Sequence, residues 1–190
     1  EFFFFLFDPN SIYVIKDKIA DESVEILKPV YNGDPHQKVD IAILAEGYTK
    51  SEREKFKNDL NRFVEYFFEQ EPYKSQKNNF NIYGVFKPSE ESGTDLPGAD
   101  IFVNTELNTT FWSLGSERYL MTEDNLSMRN LAAFVPYDAI YIQVNHPRYG
   151  GGGIYNQYCT YTTDNQFAKY LFTHEFGHSF TGLADEYYTS

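Results

Sequence analysis

Apolar positions along the chain fall into short blocks whose spacing switches between two residues and three or four, the mark of strands alternating with helices. Val39-Asp40-Ile41-Ala42-Ile43-Leu44-Ala45 reads as a largely buried strand that Gly47 ends. Phe56, Leu60, Phe63, Val64 and Phe67 then recur at helical spacing as far as Pro72, with Thr49 and Ser51 as candidate caps, each followed three residues on by Glu. Phe80 to Phe86 forms a second strand. Residues 87–120 are rich in Ser, Gly, Asp, Asn and Thr and predict a long surface excursion. A shorter helix is expected over 123–134, stopped before Pro136, and Ala139 to Val144 gives a third core strand. Four glycines, Gly150 to Gly153, lead into Ile154 to Tyr161, a strand whose polar content suits a sheet edge. Thr163 or Asp164 should cap a last helix from about Asn165 to Thr181, closed by Gly182.

This order of elements predicts an α/β fold with a mostly parallel twisted sheet. Residues 1–35 carry separate strand-like pieces, Phe2 to Phe7, Ile12 to Ile15 and Val24 to Leu27, and read as the end of an N-terminal β domain with its linker. Residues 36–190 then form the main domain.

Composition narrows the function classes. Asp and Glu number 28 against 16 Lys and Arg, a formal net charge of -12, and a field of that sign repels phosphate backbones and anionic headgroups. Nucleic acid is therefore not an expected partner. Membrane insertion is not expected either, because the longest apolar run, Phe2 to Phe7, has six residues. Cys159 is the single cysteine, which excludes internal disulfides and CxxC metal sites and leaves it a small buried apolar residue.

The chemistry lies in the last helix, where His174-Glu175-Phe176-Gly177-His178 gives the pattern H-E-x-x-H. Residues four apart project from one helix face, so both imidazoles can reach one tetrahedral zinc ion. Glu175 is rotated to a place beside the fourth coordination position, where its carboxylate can take a proton from water and later deliver it to a leaving amine. At ordinary residue frequencies the pattern arises by accident in about one chain of this length in a few hundred. Phe167 and Leu171 continue the histidine face while Ala168, Phe172, Phe176 and Phe180 form another, so the helix should be buried on two sides, where two imidazoles are costly without a shared partner. A third ligand is available just past Gly182 in Leu183-Ala184-Asp185-Glu186, with Asp185 and Glu186 both acceptable to zinc. Gly150 to Gly153 reads either as a mobile rim that lets a peptide backbone approach the edge strand or as a plain connecting loop.

The whole string HEFGHSFTGLADEY resembles the motif of the IgA-peptidase-type family of zinc metallopeptidases. Asp40 to Thr49 (DIAILAEGYT), Glu91 to Asp95 and the glycine run are similar to that family as well, so the resemblance covers roughly residues 36 to 187. It implies a metzincin-like catalytic subdomain built round an active-site helix, a zinc-dependent endopeptidase activity on extended protein or peptide segments, and a secreted or cell-envelope location, usually in bacteria. The glycine in this string is one residue later than in the metzincin pattern, but the interval from glycine to third ligand is the same, which implies His174, His178 and Asp185 as zinc ligands and Glu175 as general base. Metzincin-type enzymes carry a methionine turn downstream of the ligands, whereas Met121 and Met128 both lie upstream. The lower wall of the cleft is thus expected beyond Ser190, with the catalytic domain cut short. The competing expectations are a zinc-containing binding or adhesion module without proteolytic activity and hydrolysis of a non-peptide amide. The carboxylate of Glu175, for which a structural zinc site has no use, argues against the first.

Overall fold

A computed structural model of the chain describes residues 8–12 and 20–185. Its centre is one six-stranded sheet in the order β1-β3-β2-β4-β6-β5, formed by β1 (Glu25–Val30), β2 (Val39–Glu46), β3 (Phe80–Phe86), β4 (Ala139–Val144), β5 (Gly151–Ile154) and β6 (Tyr158–Thr162). The four inner strands run parallel, and β1 and β5 are antiparallel edges. Three helices of eight residues or more accompany it among the described residues: α1 (Arg53–Phe67), α2 (Asn125–Ala132) and α3 (Ala168–Thr181). The α/β arrangement read from the sequence is therefore present, as a mixed sheet between two layers.

Alternation along the strands explains the two layers. Ile41, Ile43 and Ala45 of β2 face α1 and α3, packed with Phe56, Phe63, Phe67, Phe172 and Phe176, while Ala42 and Leu44 face the opposite core with Met128, Leu131, Ile140 and Ile142. Gly84 in β3 leaves room for α1, since a β-carbon there would stand 2.4 Å from Leu60 Cδ2. Tyr141 anchors α3 to the sheet: its ring stacks on Phe172 at 4.6 Å between centroids, and its hydroxyl donates to the Phe172 carbonyl.

Several expectations change here. Glu25 to Leu27 of the Val24 to Leu27 piece, grouped with the preceding β domain, belong to β1 and pair with β3 in the main sheet; of the other two pieces, Phe2 to Phe7 and residues 13–15 lie outside the described residues, and Ile12 is an exposed turn residue. The polar strand Ile154 to Tyr161 is two strands, because Tyr155-Asn156-Gln157 form a turn, and its polar half is internal. Thr160 and Thr162 are buried on β6 with their hydroxyls donating to the carbonyls of Leu120 and Gly150. Of the glycine run, Gly151 to Gly153 make up most of the edge strand β5, and Gly150 stays in the connection before it. Helix α3 begins at Ala168 instead of Asn165, since the Asn165 side chain accepts the Phe167 N–H and holds a turn ahead of the helix.

The excursion of residues 87–120 is also more than surface. Leu107, Phe111 and Leu120 enter the second core, and the fully buried Glu46 at the end of β2 ties the segment down. Its carboxylate accepts from Thr105 Oγ1 (2.7 Å), Leu107 N–H (2.8 Å), and Thr109 N–H and Oγ1 (both 2.9 Å). Gly47 follows in the left-handed region (φ 69°) and touches Gly93 so closely that a β-carbon would fall 1.9 Å from the Gly93 carbonyl oxygen. The stretches Asp40 to Thr49 and Glu91 to Asp95, far apart in sequence, thus meet at one corner of the sheet.

Candidate metal centre

Helix α3 lies against β5 and β6 with His174 and His178 one turn apart on its outer side. Their Nε2 atoms are 3.1 Å apart and their rings nearly perpendicular, at 84°. The helix ends in a left-handed Gly182 (φ 68°, ψ 25°), with Gly182 N–H donating to the His178 carbonyl (3.1 Å) and Leu183 N–H to that of Gly177 (3.2 Å). A left-handed glycine bonded to the carbonyl four residues before it is a common helix end, and the second bond, reaching back six residues, returns the chain along the helix instead of away from it. As a result Asp185 Oδ1 stands 3.3 Å from Nε2 of both histidines.

The triangle of 3.1, 3.3 and 3.3 Å fits one small cation. Tetrahedral zinc with bonds of about 2.0 to 2.1 Å separates its ligand atoms by roughly 3.3 Å. The hydrogen bonds around the rings agree. Nδ1 of His178 is 2.6 Å from the Leu183 carbonyl oxygen, which can only accept, so Nδ1 carries the proton and Nε2 presents a lone pair to the centre. Nδ1 of His174 is 3.2 Å from the Tyr170 hydroxyl, and the two rings stack at 5.1 Å. With Nε2 of His178 unprotonated and the Asp185 carboxylate beside it, a cation held at the centre would satisfy all three donors at once. Burial also holds His174 below the usual histidine range, as the neighbouring His178 does to a lesser degree, so the neutral form that ligates metals is favoured.

Glu175 points from the same helix turn toward β5 and is 8% exposed. A β-carbon on Gly151 would stand 3.0 Å from its Oε1, and one on Gly153 would stand 2.6 Å from its carbonyl oxygen and 2.9 Å from His178 Cβ. The glycines are therefore what allows the helix this close to the strand. Burial pushes the Glu175 carboxyl up to about 7, with His178 and Arg118 opposing and Asp185 adding to the rise. A dication at the three donors would pull it down again. In front of Glu175 opens a cleft of about 480 Å³, floored by β5 and α3 and walled by Leu114, Arg118, Tyr119, Met121 and Tyr149.

All four residues singled out from the sequence therefore border one cleft: His174, His178 and Asp185 as a cluster, and Glu175 beside it. Glu186 lies outside the described residues. Sequence reasoning missed Tyr170, whose place one turn before His174 was a readable signal, and the Leu183 carbonyl, which has none. It also missed the wall contributed by residues 114–121, although Met121, absent from any downstream turn, reappears there.

No curated protein matched the chain. The sequence model of the IgA Peptidase M64 family matches residues 25–190, a span that begins at β1 and includes the whole sheet, the cleft and the cluster on α3. The chain belongs to the IgA Peptidase M64 family and is an enzyme, a peptidase.

Proposed function

We propose that this peptidase is a zinc-dependent endopeptidase of metzincin-like architecture, working outside the cytoplasm on extended segments of protein substrates. The observation that carries the reading is the triangle of His174 Nε2, His178 Nε2 and Asp185 Oδ1, whose edges match those of a tetrahedral zinc site. Zinc, when bound, supplies Lewis acidity that polarises the scissile carbonyl and lowers the pKa of water to about 7. The chain's own residues do the rest. The Leu183 carbonyl fixes the His178 tautomer, and Tyr170 orients His174. Glu175 accepts a proton from the attacking water at its carboxylate and returns it to the nitrogen of the leaving amine. Its burial between α3 and β5 keeps bulk water from competing for that proton. The edge strand β5 offers main-chain groups with which an extended substrate can pair as an added strand.

Glu175→Gln tests the assignment of the base. It should leave zinc content unchanged while lowering turnover by several orders of magnitude, since it removes the proton acceptor and leaves the ligands in place. Near-normal turnover in a variant of unchanged metal content would remove Glu175 from the mechanism.

A further inference from the structure

The open edge of β5 is shorter than the strand. Gly151 N–H donates to the Arg118 carbonyl (3.3 Å) and its own carbonyl accepts from Leu120 N–H (3.1 Å), so residues 118–120 already pair with that end, Tyr119 lying parallel to Gly151. By the two-residue alternation of a strand, the next outward-facing pair of main-chain groups belongs to Gly153. Among the described residues no other segment is hydrogen-bonded to it there. A peptide added antiparallel to β5, the more stable sense of pairing, runs with its C-terminal half toward Gly151 and meets the wall built by residues 118–120. The Glu175 carboxylate lies along the stretch between the two glycines, Oε1 nearest Gly151 and Oε2 nearest Gly153, so a peptide paired at Gly153 passes directly in front of it.

Arg118 stands at that wall. Among the described residues that line the cleft it is the one Lys or Arg, and its guanidinium is close enough to oppose the rise of the Tyr149 phenol. In a chain of net charge -12, a cation in the substrate cleft is the exception to the surrounding field.

We propose that Arg118 is a specificity residue, binding a carboxylate that the substrate carries on the C-terminal side of the bond to be cut. The inference rests on the endopeptidase reading of the same cleft. The planar guanidinium matches a carboxylate with two parallel hydrogen bonds, and two sources share that chemistry: an acidic side chain, and the free C-terminus of a short substrate.

Two pairs of peptides test it. One pair is long and blocked at both ends, with Glu or Gln after the scissile bond; the other is short and ends there as free acid or amide. Dissociation constants are measured on the zinc-loaded Glu175→Gln chain, which should bind without cutting. Hydrolysis of the same peptides by the unmodified chain tests the peptidase mechanism separately. In at least one pair the acid should bind about tenfold to a hundredfold more tightly than its neutral partner. Adding Arg118→Gln should bring that ratio close to one, and Arg118→Lys should restore part of it. A ratio confined to the first pair identifies an acidic side chain as the ligand; one confined to the second identifies the chain terminus. Equal binding of acid and neutral peptides in the presence of Arg118 overturns the proposal. So does a ratio that survives Arg118→Gln, even where that substitution weakens all four peptides together, and so does failure of all four to bind.

Discussion

A β-carbon at Gly153 would stand 2.6 Å from the carbonyl oxygen of Glu175, well inside contact distance. The edge strand and the helix that carries the metal cluster are thus separated by the width of a bare backbone. Gly153→Ala must push α3 away from β5, and with it His178, whose Cβ would be 2.9 Å away. We expect a loss of about 1 to 3 kcal/mol in stability from overpacking and a larger, separate loss of zinc affinity. Urea unfolding and zinc titration of the variant check both; unchanged zinc affinity would show that the spacing of strand and helix does not set the cluster.

The third donor depends on the turn after α3. Asp185 reaches both Nε2 atoms only because Gly182 adopts a left-handed conformation and returns the chain along the helix. Asp185→Ala should therefore lose zinc affinity severely, and Glu186→Ala much less, in the range of about 10- to 100-fold typical of groups that support the ligands. Competition titration against a chromophoric chelator measures both. Strong binding kept in Asp185→Ala, with binding lost in Glu186→Ala, would reverse the assignment.

Glu46 gives a pH dependence unrelated to the metal. Burial raises its carboxyl above the usual range, with the bonds from Thr105, Thr109 and Leu107 opposing. A raised acid keeps its proton in the folded state where the unfolded chain, with a pKa of about 4.3, has lost it, so stability falls as pH rises from there toward the folded value. Glu46→Gln should abolish that contribution. It should also cost about 1 to 3 kcal/mol, because either orientation of the amide sets its NH2 against a fixed backbone donor, Leu107 N–H or Thr109 N–H. Denaturant unfolding of both proteins across this pH range decides the point; the same pH slope in both would contradict it.

Much of this was legible in the chain because local pattern and tertiary role coincide. β2 and β3 are buried on both faces and read as continuous apolar runs, and the histidines four residues apart on α3 carry their geometry in their spacing. What escaped was set by long-range contact. The polarity of β6 resembled an edge because Thr160 and Thr162 bond to backbone carbonyls 40 and 12 residues away, which no local pattern records. The glycines of β5 resembled a loop because the reason for them, the close approach of Glu175 and His178, lies more than twenty residues downstream. Residues 87–120 looked like surface because their anchor, Glu46, is a buried acid in a strand otherwise apolar toward its end.

The central claim is that one zinc ion held by His174, His178 and Asp185 makes this peptidase active. The most direct measurement follows zinc content and peptide hydrolysis in a single sample of the protein, purified without added metal, through chelation and reconstitution. We predict one zinc per chain at the start, activity that disappears with the metal, and recovery of both when one equivalent of zinc is returned. Full hydrolytic activity in the metal-free protein would contradict the account.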